Sequence, residues 1–137
     1  MGDHYQTGTA VVTDAQIDGF AELSGDFFAI HMDDDFARSQ GFPRRIAHGL
    51  LGLALTDGLK NQSSVRIMAI ASLGWSWKFR GPILAGDQIG ARIAVTGARL
   101  SSKRQGILTL TIEVAKQDGS VVQDGETTLL VRLRLNP

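Results

Sequence analysis

The sequence predicts an α+β fold in which one long central helix is wrapped by a curled antiparallel β-sheet. Three observations carry that reading. The first half of the chain reads helical, whereas the second half reads as strands. Residues 46–59 are apolar on nearly every face, and a helix apolar all round is a buried helix. Three later segments alternate apolar and polar side chains strictly, the period of strands with one buried face. In a chain of 137 residues, burial of a helix on all sides requires the sheet to curl around it.

Thr7 to Thr13 reads as a short strand. Thr13-Asp14-Ala15-Gln16 then has the form of a capping box, with Thr at the N-cap and Gln three residues on. Ile17, Phe20 and Ala21 follow at helical spacing, which predicts a helix over 14–23. A second short helix is predicted from Asp33, with Asp34 and Asp35 in its first turn at the positive end of the helix dipole. Gly41 stops it before Phe42-Pro43. The central helix, Ile46 to Leu59, carries Leu50, Leu51, Leu53, Ala54, Leu55 and Leu59.

The strands follow. From Gly74 to Arg80, Trp75, Trp77 and Phe79 alternate with Ser76, Lys78 and Arg80. Ile89, Ala91, Ile93 and Val95 form one apolar face, and Leu108, Leu110, Ile112 and Val114 another. Asp118-Gly119 is a strong hairpin turn, after which the last strand runs to about Leu135. No internal repeat or low-complexity segment interrupts the chain.

Composition bounds the function. The chain is expected to form a single domain, residues 1–137. Fourteen Lys and Arg balance fourteen Asp and Glu, so non-specific nucleic-acid binding has no electrostatic drive. The balance is uneven along the chain: residues 1–60 carry nine acids against four bases, residues 61–137 ten bases against five acids. The plain reading is a solvated polar face on each half; the sharper one is that some of Arg66, Lys78, Arg80, Arg92, Arg99, Lys103 and Arg104 meet an anionic ligand handle such as phosphates. The absence of Cys removes disulfides, thiol nucleophiles and Cys-ligated metals. The opening MGDHYQTG lacks the basic and apolar regions of a secretory signal, and no apolar run is long enough for a membrane span. The expected setting is therefore the cytoplasm, where the Asn61-Gln62-Ser63 sequon match is chance.

Three histidines are present. His4 lies in what reads as a frayed terminus. His31 follows Asp26 by five residues, off register for one helix face, so the two converge only across a bend, which Ser24-Gly25 supplies. A His within reach of a carboxylate can act as a general base. From spacing alone the pair reads first as a turn hydrogen bond and second as a catalytic pair. Asp33, Asp34 and Asp35 are explained by capping, and no second His stands at ligand spacing, so no metal is expected. His48-Gly49 opens the central helix, whose first N–H groups lack intrahelical partners and can bind a developing oxyanion. Asp57, nine residues after His48, falls on the opposite side of that helix.

SGDFFAIHMDDDFARSQGFPRRIAHGLLGLAL resembles the hydratase signature of the MaoC-like dehydratases, the family of (R)-specific enoyl-CoA hydratases, and WKFRGPILAGDQI resembles the family's aromatic-rich strand and Gly-Asp turn. The resemblance spans nearly the whole chain. It implies the hotdog fold and reversible (R)-specific hydration of trans-2-enoyl-CoA. It implies that Asp26 and His31 hold and activate water, while the Gly49 N–H stabilises the thioester oxygen. His48, Phe28 and Trp75 are expected at the substrate, and no cofactor is needed. The implied partners are an acyl-CoA or acyl carrier protein thioester and a second copy of the chain in a homodimer. The family's Asn-Pro between the Asp and the His is Phe28-Ala29 here, and Thr56-Asp57 stands where some members carry a serine. Two alternatives remain open at this stage: a hotdog thioesterase using Asp57 with Gly49, and a non-catalytic acyl-thioester-binding subunit.

Overall fold

The computed structural model describes residues 2–63 and 69–132. Five strands form one antiparallel sheet in the order β1-β3-β4-β5-β2: β1 (His4–Val11), β2 (Ala69–Phe79), β3 (Gln88–Leu100), β4 (Gly106–Lys116) and β5 (Val121–Val131). Four helices lie between β1 and β2: α1 (Asp14–Ser24), α2 (Ala29–Met32), α3 (Asp34–Ser39) and α4 (Gly49–Gln62).

The starts of α1 and α3 are made by the chemistry read from the sequence. Thr13 Oγ1 accepts from the Gln16 N–H at 3.1 Å while Gln16 Oε1 accepts from the Thr13 N–H at 3.0 Å, the reciprocal capping box. Asp33 caps α3, its Oδ1 accepting from the Asp35 N–H at 2.8 Å. Gly41 follows α3 with φ 93°, a conformation that favours glycine. The Lys116–Ser120 hairpin turns at Gly119, φ 85°, as Asp118-Gly119 predicts.

The inward faces of β3 and β4 are the predicted ones: Ile89, Ala91, Ile93, Leu110, Ile112 and Val114 are buried. They pack with Leu51 of α4, Ile17 of α1 and Val12 into one core. Several boundaries move. β1 begins at His4, which pairs with Ala94 instead of fraying, and β2 begins at Ala69. The predicted end of the last strand near Leu135, like Arg66, lies outside the described residues.

Helix α4 departs further from expectation. Ile46 and Ala47 precede it and pair in strand fashion: Ile46 bridges Leu84, and the Ala47 N–H donates to Ile83 O at 2.7 Å. The helix is not buried all round. Leu51, Gly52, Thr56 and Leu59 face the sheet, whereas Leu50 is 60% exposed and Ala54 is exposed. Within one chain the sheet covers one face of α4, because strand order leaves β2 at an edge instead of closing over the helix.

Candidate active site

Gly25 ends α1 with φ 81°, its N–H donating to Ala21 O at 2.8 Å. Beyond it, Ser24 Oγ accepts from the Asp26 N–H at 3.2 Å and Asp26 Oδ1 from the Phe28 N–H at 3.2 Å. This bend brings the two side chains together: Asp26 Oδ2 lies 4.0 Å from His31 Nε2. That is too long for a direct hydrogen bond, but one water oxygen about 2.8 Å from each would bridge them.

His31 sits on α2, a single turn too short to read from periodicity. Its Nδ1 lies 2.9 Å from the Ile46 carbonyl oxygen. A carbonyl only accepts, which assigns the proton to Nδ1 and leaves a lone pair on Nε2, facing Asp26. His48 stands behind this pair. It is 3% exposed, its Nε2–H donates to the Asp26 carbonyl at 2.9 Å, and its ring stacks on His31 with centroids 4.0 Å apart and planes 23° apart. One ligand atom from each of Asp26, His31 and His48 falls within 4.8 Å of the others. The near-parallel stack, however, sends the in-plane lone pairs side by side instead of toward one point, and His48 Nε2 is already a donor. The trio suits a supported base better than a metal cage.

Gly49 opens α4, and its N–H has no acceptor among the described residues. Gly49 lines a cavity of about 410 Å³ together with His31, Phe42, Leu50, Phe79, Ile83 and Gln123. A Cβ on Gly49 would stand 2.7 Å from the Phe79 ring, so this position needs glycine for the close approach.

Arg45 ties the motif to α1. It is buried, with Nη1 donating to Asp18 Oδ1 at 2.7 Å and Nε to Asp14 Oδ1 at 2.9 Å, while its N–H donates to Asp34 Oδ1 at 2.8 Å. The Asp18 carboxylate foremost, with Asp14 and against the cost of burial, raises the Arg45 pKa further above its usual value. In the sequence Arg45 is one of the four bases of residues 1–60, with no local signal that marks it for burial.

The other expected residues are placed differently. Phe28 is 59% exposed and meets the His31 ring edge-on at 6.3 Å. Trp75 packs against the core, its ring T-shaped to Trp77 at 5.5 Å. Neither lines the cavity with His31 and Gly49, nor do His48 and Asp26, the latter standing beside it at His31 Nε2; Phe42 and Phe79 supply its aromatic wall. Trp75 shares the face of Phe79 but sits four residues back along β2, about 13 Å away, and the His48 ring is taken up stacking on His31. Asp57 is also away from the cavity: its Oδ1 pairs with Lys60 Nζ at 3.0 Å, and it lies about 12 Å along α4 from Gly49. Of the basic residues in the second half, Arg80 lines the cavity, its Nε donating to Asp124 Oδ1 at 3.1 Å.

The profile of the MaoC like domain matches residues 1–117. The chain belongs to the MaoC-like dehydratase family. MaoC-like dehydratases are lyases, and the five-stranded sheet with its helix α4 is their hotdog fold. Among relatives, an (R)-specific enoyl-CoA hydratase from Aeromonas caviae is 36% identical over 115 residues, 84% of this chain and 83% of the relative. A solved structure described as a monoamine oxidase regulatory protein, from an Archaeoglobus species, superposes with a TM-score of 0.90 at 30% identity, covering 98% of this chain and 92% of the other. A MaoC-like dehydratase from Rhodospirillum rubrum gives 0.86 at 26% identity, covering 99% and 94%. Among the described residues of this MaoC-like chain, no helix is long and apolar enough to cross a membrane.

Proposed function

We propose that this chain, as one domain over residues 1–137, catalyses reversible (R)-specific hydration of a trans-2-enoyl thioester, carried by CoA or by an acyl carrier protein. The observation that carries the reading is that His31 and Gly49, whose N–H has no acceptor among the described residues, line one cavity, with Asp26 beside His31 Nε2. Asp26 and His31 together hold a water. His31 Nε2 takes a proton as the water oxygen bonds to C3, and the electrons of the C2=C3 double bond move toward the thioester oxygen. The Gly49 N–H donates to that oxygen where its charge grows, a contribution whose loss typically costs about a hundredfold or more. The proton then goes to C2 on the same face, completing addition of H and OH. His48 holds Asp26 and His31 from behind, and no metal or redox cofactor enters the step. The relatives named for this reaction support the reading. A cytoplasmic setting agrees with the cysteine-free composition.

The thioesterase alternative needs Asp57 at the cavity, whereas its carboxylate is paired with Lys60 at the far end of α4. The substrate enters beside exposed Leu50 and Phe79, which continue toward the free edge of β2; a second copy covering that face in a homodimer fits both the exposed side chains and the unpaired edge.

The test is mass analysis of crotonyl-CoA after incubation with purified protein. Gain of one water with CoA retained is expected. Asp26→Asn and His31→Ala should each reduce that rate by about 10²–10⁴-fold, the usual worth of a positioned acid or base. Release of free CoA, or activity surviving both substitutions, would overturn the assignment. Tight acyl-CoA binding without turnover would favour a binding subunit.

A further inference from the structure

Gln123 is a buried polar side chain, 1% exposed, on the inward face of β5, which it shares with buried Thr127 and Leu129. Both ends of its amide are used. Trp77 Nε1 donates to Gln123 Oε1 at 2.9 Å, and Gln123 Nε2 donates to the Gly49 carbonyl at 3.0 Å. The chemistry allows only this orientation. An indole N–H cannot accept and a carbonyl cannot donate, so rotating the amide by 180° would break both bonds and set like poles together.

Three glycines make room for this relay. A Cβ on Gly125 would meet the Ser76 carbonyl of the paired strand first and would also stand 2.8 Å from the Trp77 ring, which lies across that position on its way to Gln123. A Cβ on Gly52 would stand 2.5 Å from Gln123 Nε2, so the amide reaches α4 only because Gly52 is bare. The third is Gly49 itself, held from the other side by the Phe79 ring. The relay ends on Gly49, a lining residue of the cavity, and Gln123 lines the same cavity. An oxyanion donor acts only when held within about 0.5 Å of its productive position, roughly 2.7–3.1 Å from the oxygen that takes up the charge. The first turn of a helix is otherwise the part that frays.

We infer that Gln123 is a positioning residue that fixes the first turn of α4 so that the Gly49 N–H meets the thioester oxygen, and that Trp77 locks Gln123 in the working orientation. This rests on the hydratase reading for its kinetic consequence, though the structural link does not. A residue acting through the donor affects the charge that develops in the transition state more than substrate binding, so its loss falls on kcat.

The experiment uses the full chain with crotonyl-CoA and begins with Gln123→Leu, Trp77→Phe and the double variant. Gln123→Leu should lower kcat tenfold or more with KM changed less than about threefold. Trp77→Phe should produce a smaller loss of the same kind. The double variant should be no slower than Gln123→Leu alone, because both act through one chain of contacts. Gln123→Glu adds a signature that lost packing cannot mimic. Protonated, its O–H can donate to Gly49 O; ionised, it sets an oxygen anion against that carbonyl. Its kcat relative to the native protein should therefore rise as pH falls. Additive losses, a KM effect without a kcat effect, or a Gln123→Glu profile parallel to the native one would overturn the proposal.

A second measurement is independent of turnover. In ¹⁵N–¹H spectra, Gln123→Leu should move the Trp77 indole and Gly49 amide resonances together. If native protein leaves crotonyl-CoA unchanged, the hydratase reading fails while these spectra still decide the relay. Resonances that stay in place would overturn it.

Discussion

Gly49 shows how a single residue serves both packing and chemistry. Its N–H stays unpaired because a helix start has no earlier turn to satisfy it, and its missing Cβ lets Phe79 close one wall of the cavity. Gly49→Ala should therefore cost both stability and activity. The added methyl would press on an aromatic ring, a strain of about 1–3 kcal/mol typical of overpacking, and moving α4 to relieve it would displace the donor. Thermal unfolding and crotonyl-CoA kinetics check this together; Phe79→Leu in the same chain should recover most of the stability. Activity at the native level in Gly49→Ala would show that the close approach does not matter to the donor. At this scale Asp26, His31 and Gly49 were legible in the sequence through the resemblance and the bend at Ser24-Gly25. Gln123 was not. A glutamine reads as a surface residue until its strand is known to turn that position inward, and only then does its lack of water call for partners.

Among the elements, the segment 82–87 between β2 and β3 decides how α4 is delivered. Ala47 and Ile46 pair with it just before the helix begins, so its shape sets where Gly49 stands. Asp87 holds that segment closed. Its Oδ2 accepts from the Leu84 N–H at 2.7 Å and pairs with Lys116 Nζ at 2.8 Å, and its Oδ1 accepts from Gln117 Nε2 at 2.8 Å. Burial works against the charged form, yet Gln117, Lys116 and the Leu84 N–H outweigh it and hold the carboxyl below its ordinary range. A depressed carboxylate contributes stability that is complete above its unfolded pKa, about 3.9, and is lost as pH falls through the folded value. Asp87→Asn should thus destabilise the protein by about 2 kcal/mol near neutrality, the usual worth of hydrogen bonds to a charged group. The gap should narrow as pH drops below about 4. Urea unfolding of both proteins across that range is the check, and a gap constant with pH would show that the charge does not matter. The Gly-Asp turn was read from the sequence as part of the family pattern; that it braces the helix entry was not, since its partners Lys116 and Gln117 lie about thirty residues away.

The whole molecule leaves α4 half covered. Leu50 on the helix and Ile70, Leu73 and Phe79 on the edge strand β2 are all at least half exposed, and β2 has an open hydrogen-bonding edge. Such an edge invites pairing with another strand, and a second copy is the occupant proposed above. Leu73→Lys, which adds a charge to the edge without touching the cavity, should shift the protein from dimer to monomer in sedimentation analysis, with a mass near 14.7 kDa. Native protein that already sediments at that mass would overturn the dimer.

The sequence by itself determined most of the elements and the contiguous motif on which the proposed chemistry rests. Helix caps, turn glycines and alternating strand faces are local, encoded by residues a few positions apart, and the motif joining Asp26 to Gly49 lies within one contiguous stretch. The tertiary structure alone decided which polar groups meet across the fold. It set His48 behind His31, Arg45 between two helices, Trp75 away from the cavity, and the Trp77–Gln123 relay on Gly49. It also decided that α4, apolar in sequence on nearly every face, is covered by its own sheet on only one. The reason is the same in each case: local patterns record what a residue does to its neighbours in the chain, whereas burial and partnership depend on strand order and register, which bring together residues 46 or 74 positions apart.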